Sequence, residues 1–247
     1  MRPIGFSTGA LAKGDFHQGI RLQAPYAEIA AIELSALRDS ELGSLIAGIP
    51  QLDLTKFTYV SIHAPSKLVS LSEQTVIDQL WSLPRRWPIV VHPDILHKDD
   101  EWRKFGSRLC LENMDNRKPI GRTVSEMENL FLRFPEASFC LDVGHAKQID
   151  PTMTTALLML RKFDSRLQQV HVSDVGARGE HLRLGRMARM AFARLAEHIP
   201  AHCPLIIESV VVAPSEIEPE LKAVRGVFES RILSRQLEHG WPACPLV

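Results

Sequence analysis

Eight short apolar runs recur along the chain, at residues 4–7, 31–34, 58–63, 87–92, 108–112, 138–142, 168–173 and 204–208. They are nearly continuous in apolar character instead of alternating, as expected of strands buried on both faces of a parallel sheet. Between most of them lie stretches with apolar residues at helical spacing, such as Val124, Met127, Leu130, Phe131 and Phe134, or Leu157, Leu158, Leu160 and Phe163. Helix starts are signalled by Thr123 with Glu126, a capping box, and by Asp150-Pro151, an N-cap before a proline at the first helical position. Eight such units in 247 residues average about 31 residues each, and a (β/α)8 barrel needs ~250 residues. The reading is an α/β protein: a single (β/α)8 TIM barrel over residues 1–238, with 239–247 as an irregular tail. A doubly wound open sheet would carry a glycine-rich turn after its first strand, and Gly5, Gly9 and Gly14 lack that spacing.

Charge names no partner. The 29 Lys+Arg balance 29 Asp+Glu, so there is no bulk field to attract nucleic acid or an anionic membrane. No window approaches the ~18 uninterrupted apolar residues of a membrane span, and the expected location is cytoplasmic. Cys110, Cys140, Cys203 and Cys244 are widely spaced and form no C-x-x-C, so neither a disulfide framework nor a thiolate zinc site is indicated. Cys110 and Cys140 each precede an acidic residue by two positions, which points them into the barrel as filler.

The informative residues stand at the ends of the runs. His63, His92, Glu112, Asp142, His171 and Glu208 close six consecutive strands at intervals of 29, 20, 30, 29 and 37 residues. Burying one such group costs several kcal/mol unless it is paired or bound to a cation. In a barrel the carboxyl ends of all strands open on one face, so the six converge there. Mixed imidazole and carboxylate ligands suit Zn, Mn, Fe or Co, whereas Mg and Ca favour oxygen alone. A divalent metal site is expected.

These residues resemble the xylose-isomerase-like superfamily of metal-dependent barrels, which includes AP endonuclease family 2 (endonuclease IV), ketose 3-epimerases and hydroxypyruvate isomerase. The resemblance runs through His92-Pro93, Glu112-Asn113, the Asp142 to His145 pair and the His171 to Asp174 pair, in that order along nearly the whole chain. It implies a four-ligand site of Glu112, Asp142, His171 and Glu208, with Glu112 and Glu208 also catalytic as the acid and base that move a proton to and from a substrate carbon. Endonuclease IV is similar in further positions: His63 and His92 match ligands of a first metal bridged by Glu112 to a second. For its third metal His145 and His181 match, but the aspartate expected two residues before His181 is Gly179, and Glu180 substitutes only if the loop shifts.

The favoured function is therefore a divalent-metal-dependent isomerase or epimerase of a small sugar or sugar phosphate, with one to three ions of Zn, Mn or Co. His145 and His181 are candidates for a third metal or for substrate contacts. Arg178, Arg183 and Lys147 are candidates for holding a phosphate, since guanidinium forks match its oxygens; Lys67, Arg117, Arg186 and Arg189 extend the same positive rim. The alternatives are an endonuclease-IV-like phosphoesterase acting on abasic DNA, a multinuclear-iron oxygenase, and a scaffold protein keeping the metal for stability. Nucleic acid is not favoured as a partner, a membrane is not expected, and a homo-oligomer is allowed. Glu33, inside the second run, ranks as support for a ligand rather than a ligand itself.

Overall fold

The computed structural model describes residues 2–229; the tail at 239–247 lies outside them. Eight strands form one parallel sheet: β1 (Ile4–Phe6), β2 (Ala31–Ser35), β3 (Tyr59–His63), β4 (Ile89–Val91), β5 (Leu109–Glu112), β6 (Ser138–Asp142), β7 (Leu167–Val172) and β10 (Leu205–Ile207). Each falls within two residues of an apolar run. The order β1-β10-β7-β6-β5-β4-β3-β2 curls until its two ends meet. There the Ala30 N–H donates to the Ile4 carbonyl at 3.0 Å, and Ser7 bridges to Glu33. Gly5 permits this closure, because a β-carbon on it would overlap the Ala31 carbonyl.

Two apolar clusters lie on opposite sides of the barrel wall. The large one holds Leu109, Leu111, Phe139, Leu141, Val170 and Val172 on the outward faces, covered by helix residues such as Met127, Leu130 and Phe131 of helix Val124–Arg133. The small one, Val90, Cys110 and Cys140, fills the interior. Because side chains alternate along a strand, the residue two positions after Cys110 or Cys140 points the same way, and those residues are Glu112 and Asp142. The register sets Asp142 beside His171 and Glu112 beside Cys140, so β5 ends two residues short of β6.

Thr123 caps its helix as its sequence signals, accepting from the Glu126 N–H at 3.2 Å. Asp150 does not cap at Pro151. Helix Thr154–Lys162 begins later, after Met153 in a left-handed conformation (φ 63°), and Asp150 reaches forward to accept from the Thr155 N–H at 2.8 Å. Two further short strands, β8 (Asp174–Val175) and β9 (His181–Leu182), form an antiparallel hairpin above the barrel. Among the described residues no helix is long and apolar enough to cross a membrane.

Candidate metal centre

Glu112, at the end of β5, is the hub of the barrel mouth. Its Oε2 lies 3.2 Å from His63 Nε2 and 3.4 Å from His92 Nε2, while Oε1 lies 3.1 Å from His145 Nδ1 and 3.6 Å from His171 Nδ1. Glu208, just beyond β10, faces His171 Nδ1 at 3.4 Å and His181 Nδ1 at 3.6 Å. Asp142 is divided between two tasks. Its Oδ1 accepts from the His145 N–H at 2.6 Å, opening helix Val143–Ile149, and its Oδ2 turns inward. Asn113 holds Asp142 in place by donating to its carbonyl at 2.9 Å and accepting from its N–H at 2.8 Å.

Among the described residues, three donor groups converge to within 4.8 Å: Glu112, Asp142, His171 and Glu208; His63, His92 and Glu112; and Glu33, His63, His171 and Glu208. The first group fits a cation on independent grounds. Glu112 Oε1, Asp142 Oδ2 and His171 Nδ1 are fully buried and have no hydrogen-bond partner. The His145 Nδ1 hydrogen bond goes to the Asn113 carbonyl at 3.0 Å, and its approach to Glu112 Oε1 is an ion-pair contact. Orphaned polar atoms cost about 1–3 kcal/mol each, more when charged, and here three of them point at one another. The donor chemistry, one imidazole and three carboxylates, suits a borderline or hard divalent ion.

The electrostatics carry the same imprint. Burial pushes the His63 imidazole down, but its contact with Glu112 and the charges of Glu33, Glu112 and Glu208 carry it up to about 9. His145 rises against burial to about 10, chiefly through Asp142 and then Glu112. Burial pushes His171 down, but Cys140 and then Glu208, Glu33 and Glu112 carry it well above the usual range. Burial lowers His92, with Glu112 opposing. Burial raises Asp142 to about 6, helped by Glu112 and Glu208. Glu112 and Glu208 are held well below the carboxylate range despite burial, both with His171 as the main opposing charge. The carboxylate charge of the mouth is thus balanced by protons retained on the raised imidazoles.

The other sequence candidates fall as follows. His145 and His181 face each other with ring centroids 5.5 Å apart, and neither belongs to the three converging groups. His181 Nδ1 lies 2.9 Å from Ser173 Oγ. Gly179 has φ 77°, and the Arg117 guanidinium fills the space that a β-carbon there would need. Glu180 instead accepts from the Arg178 N–H at 3.0 Å. Lys147 is paired with Asp174 at 2.7 Å and Arg183 with Glu216 at 3.1 Å, whereas Arg178 is 92% exposed. Sequence reasoning missed Asp115, which is buried, paired with Arg117, and 3.8 Å from His145 Nε2. It also missed Ser61 and Gln169, the partners of Glu33. All three sit on the periodicity of recognised strands or just past a recognised end, which is the signal that could have found them.

No family model and no curated protein matches the chain. Solved structures do. The chain is similar to AP endonuclease, family 2, from Brucella melitensis (15% identity, TM-score 0.56, covering 86% of this chain and 95% of that one). It is similar to 3-keto-D-glucoside 4-epimerase from E. coli (13%, TM-score 0.57, 92% and 100%). It also resembles SacUVDE (16%, TM-score 0.53, 96% and 99%). With the closed parallel barrel, these likenesses establish that the chain has the (β/α)8 barrel fold.

Proposed function

We propose that the protein is a divalent-metal-dependent isomerase or epimerase of a small hydroxy-carbonyl compound, a sugar or sugar phosphate. The observation that carries this reading is the convergence of Glu112 Oε1, Asp142 Oδ2 and His171 Nδ1, all buried and unpartnered, beside Glu208. Those four residues would hold the ion. When bound, it would supply Lewis-acid polarisation of a substrate carbonyl and stabilise negative charge developing beside it. The chain's own groups supply the proton chemistry.

The two glutamates are not equivalent. The Glu208 side chain is 13% exposed and borders the mouth, whereas that of Glu112 is 1% exposed. Glu208 is kept ionised by His171, and it is the group that takes the proton from the carbon next to the carbonyl. Glu112 is the second proton-handling group, with the His63 and His92 imidazoles at its Oε2 as its proton partners. His181, at the rim beside Glu208, is placed to bond a substrate hydroxyl.

The test is exchange of substrate carbon-bound hydrogen with deuterated solvent, across a panel of ketoses and aldoses with added Mn²⁺, Co²⁺ or Zn²⁺. Exchange that disappears in Glu208→Gln supports the reading. A second reading is a phosphoesterase acting on abasic DNA. It is favoured by the way Glu112 turns one oxygen to His63 and His92 and the other to the four-residue group, as a carboxylate bridging two ions does. Gly179 opposes it, since it offers no carboxylate where a third ion's aspartate would stand and the Arg117 guanidinium occupies that space. Cleavage of abasic DNA without carbon-hydrogen exchange would select it.

A further inference from the structure

At the Nε2 edge of His171 a second line of polar groups crosses the barrel interior, and its carboxylate, Glu33, also lies within 4.8 Å of Glu208. Glu33 of β2 is fully buried. Its Oε2 accepts from Ser61 Oγ at 3.0 Å and from Gln169 Nε2 at 2.8 Å, and lies 3.1 Å from His171 Nε2. Among the described residues no lysine or arginine pairs with it, and its ion-pair partner is His171. The Gln169 amide is oriented by its other end, where Oε1 accepts from the Tyr59 hydroxyl at 2.7 Å. This turns the Gln169 NH2 toward Glu33 and brings it to 2.7 Å from His171 Nε2.

Two neighbours therefore compete for one nitrogen, with opposite demands. An amide NH2 can only donate, so Gln169 is satisfied by a bare Nε2, which leaves the imidazole proton on Nδ1. A carboxylate can only accept, so Glu33 is satisfied by Nε2–H, which leaves a lone pair on Nδ1. Nδ1 is the atom aimed at Glu208 and Glu112, and only a lone pair binds a cation. A charge-assisted bond is roughly twice as strong as a neutral one, so the carboxylate prevails.

We propose that Glu33 is the positioning residue that fixes the His171 proton on Nε2 and thereby makes Nδ1 the ligand atom, against the opposite preference of Gln169. This rests on the reading of Glu112, Asp142, His171 and Glu208 as a metal site. Ser61 and Gln169 keep the Glu33 carboxylate pointed at the ring.

The experiment titrates Zn²⁺ alone into chelated protein and follows the His171 nitrogens by ¹⁵N–¹H NMR. Glu33→Leu leaves Gln169 as the only polar group at Nε2 and is expected to weaken zinc affinity by about 10–100-fold. Glu33→Gln keeps an acceptor oxygen without the charge and is expected to recover only part of that loss. In the wild-type protein the proton is expected on Nε2, with none on Nδ1 once zinc is bound. Equal affinities in wild type and Glu33→Leu, or a proton on Nδ1 of zinc-loaded wild type, overturns the proposal. If Glu33→Leu fails to fold, Glu33→Gln and the wild-type spectra still decide it through the proton's position. Should the wild type bind no zinc, the metal reading fails separately. The chelated spectra then judge Glu33 alone: a proton on Nε2 that leaves in the variant supports its role, and identical spectra contradict it.

Discussion

The two halves of the mouth share Glu112 and differ in how their polar atoms are satisfied. On the β3–β4 side, His63 has its Nδ1 2.7 Å from the Ala64 carbonyl and its Nε2 against Glu112, so both ring nitrogens have an oxygen within reach. On the β6–β10 side, three carboxylates and one imidazole crowd together, with Asp142 Oδ2 and His171 Nδ1 left without partners. The first half leaves one buried imidazole nitrogen, His92 Nδ1, unpartnered. The second leaves three buried atoms gathered together, the shared Glu112 Oε1 among them, and on that difference we propose it as the primary site.

Substitution at the shared residue should have the largest effect. Glu112→Gln removes the charge common to both halves and leaves raised imidazoles facing a neutral group. Loss of metal, at least a thousand-fold loss of turnover, and destabilisation by about 3–5 kcal/mol are expected, as for other broken buried ion pairs; elemental analysis, the exchange assay and thermal melts check each in turn. Glu208→Gln, closer to solvent, should lose turnover as completely while melting within a few degrees of wild type. Equal melting losses in the two variants would blur the distinction between hub and rim.

Chelated protein should lose stability as pH rises. The folded-state pKa of His63 lies at about 9, above its ordinary value of 6.5, so its contribution is fully present below about 6.5 and is lost as pH passes through about 9. That loss is on the order of 3 kcal/mol from the shift alone. Added divalent ion should hold the melting temperature up across the same window, because it takes over from protons as their counter-charge. A flat melting profile of chelated protein between pH 6.5 and 9 would contradict the charge balance drawn for the mouth.

His63→Ala sharpens the comparison further. If the β6–β10 side is primary, this variant keeps its metal there and retains turnover within about ten-fold, a modest loss beside those from removing general acid–base groups. Damage equal to that of Glu208→Gln would move the chemistry to a two-ion site and to the phosphoesterase. Lys147→Ala should have the smallest effect, below two-fold on KM, because Asp174 already pairs with the ammonium; the KM for a phosphorylated and a plain sugar measures it.

The fold was legible because each strand is a nearly continuous apolar run and six of the eight runs end in or beside an ionisable residue, so one pattern marked both element and convergence point. Helix starts were less so. At Asp150 the chain inserts Pro151, Thr152 and a left-handed Met153 before the helix begins, and local propensity does not encode that detour. The hairpin of β8 and β9 was missed because two-residue strands carry no periodicity. The ligand candidates were readable from strand ends alone. The layer beneath them was not, because Ser61 and Gln169 are single polar residues whose partner, Glu33, lies on another strand. Only the pairing of β2 with β3, and the closing of the barrel, brings them together.

The most direct measurement is metal content per chain in protein purified without chelator, compared among wild type, Asp142→Asn and His63→Ala. The account predicts at least one divalent ion per wild-type chain, lost in Asp142→Asn and kept in His63→Ala. No metal in the wild type, and none taken up on titration, would contradict it, as would an ion that survives Asp142→Asn and leaves with His63.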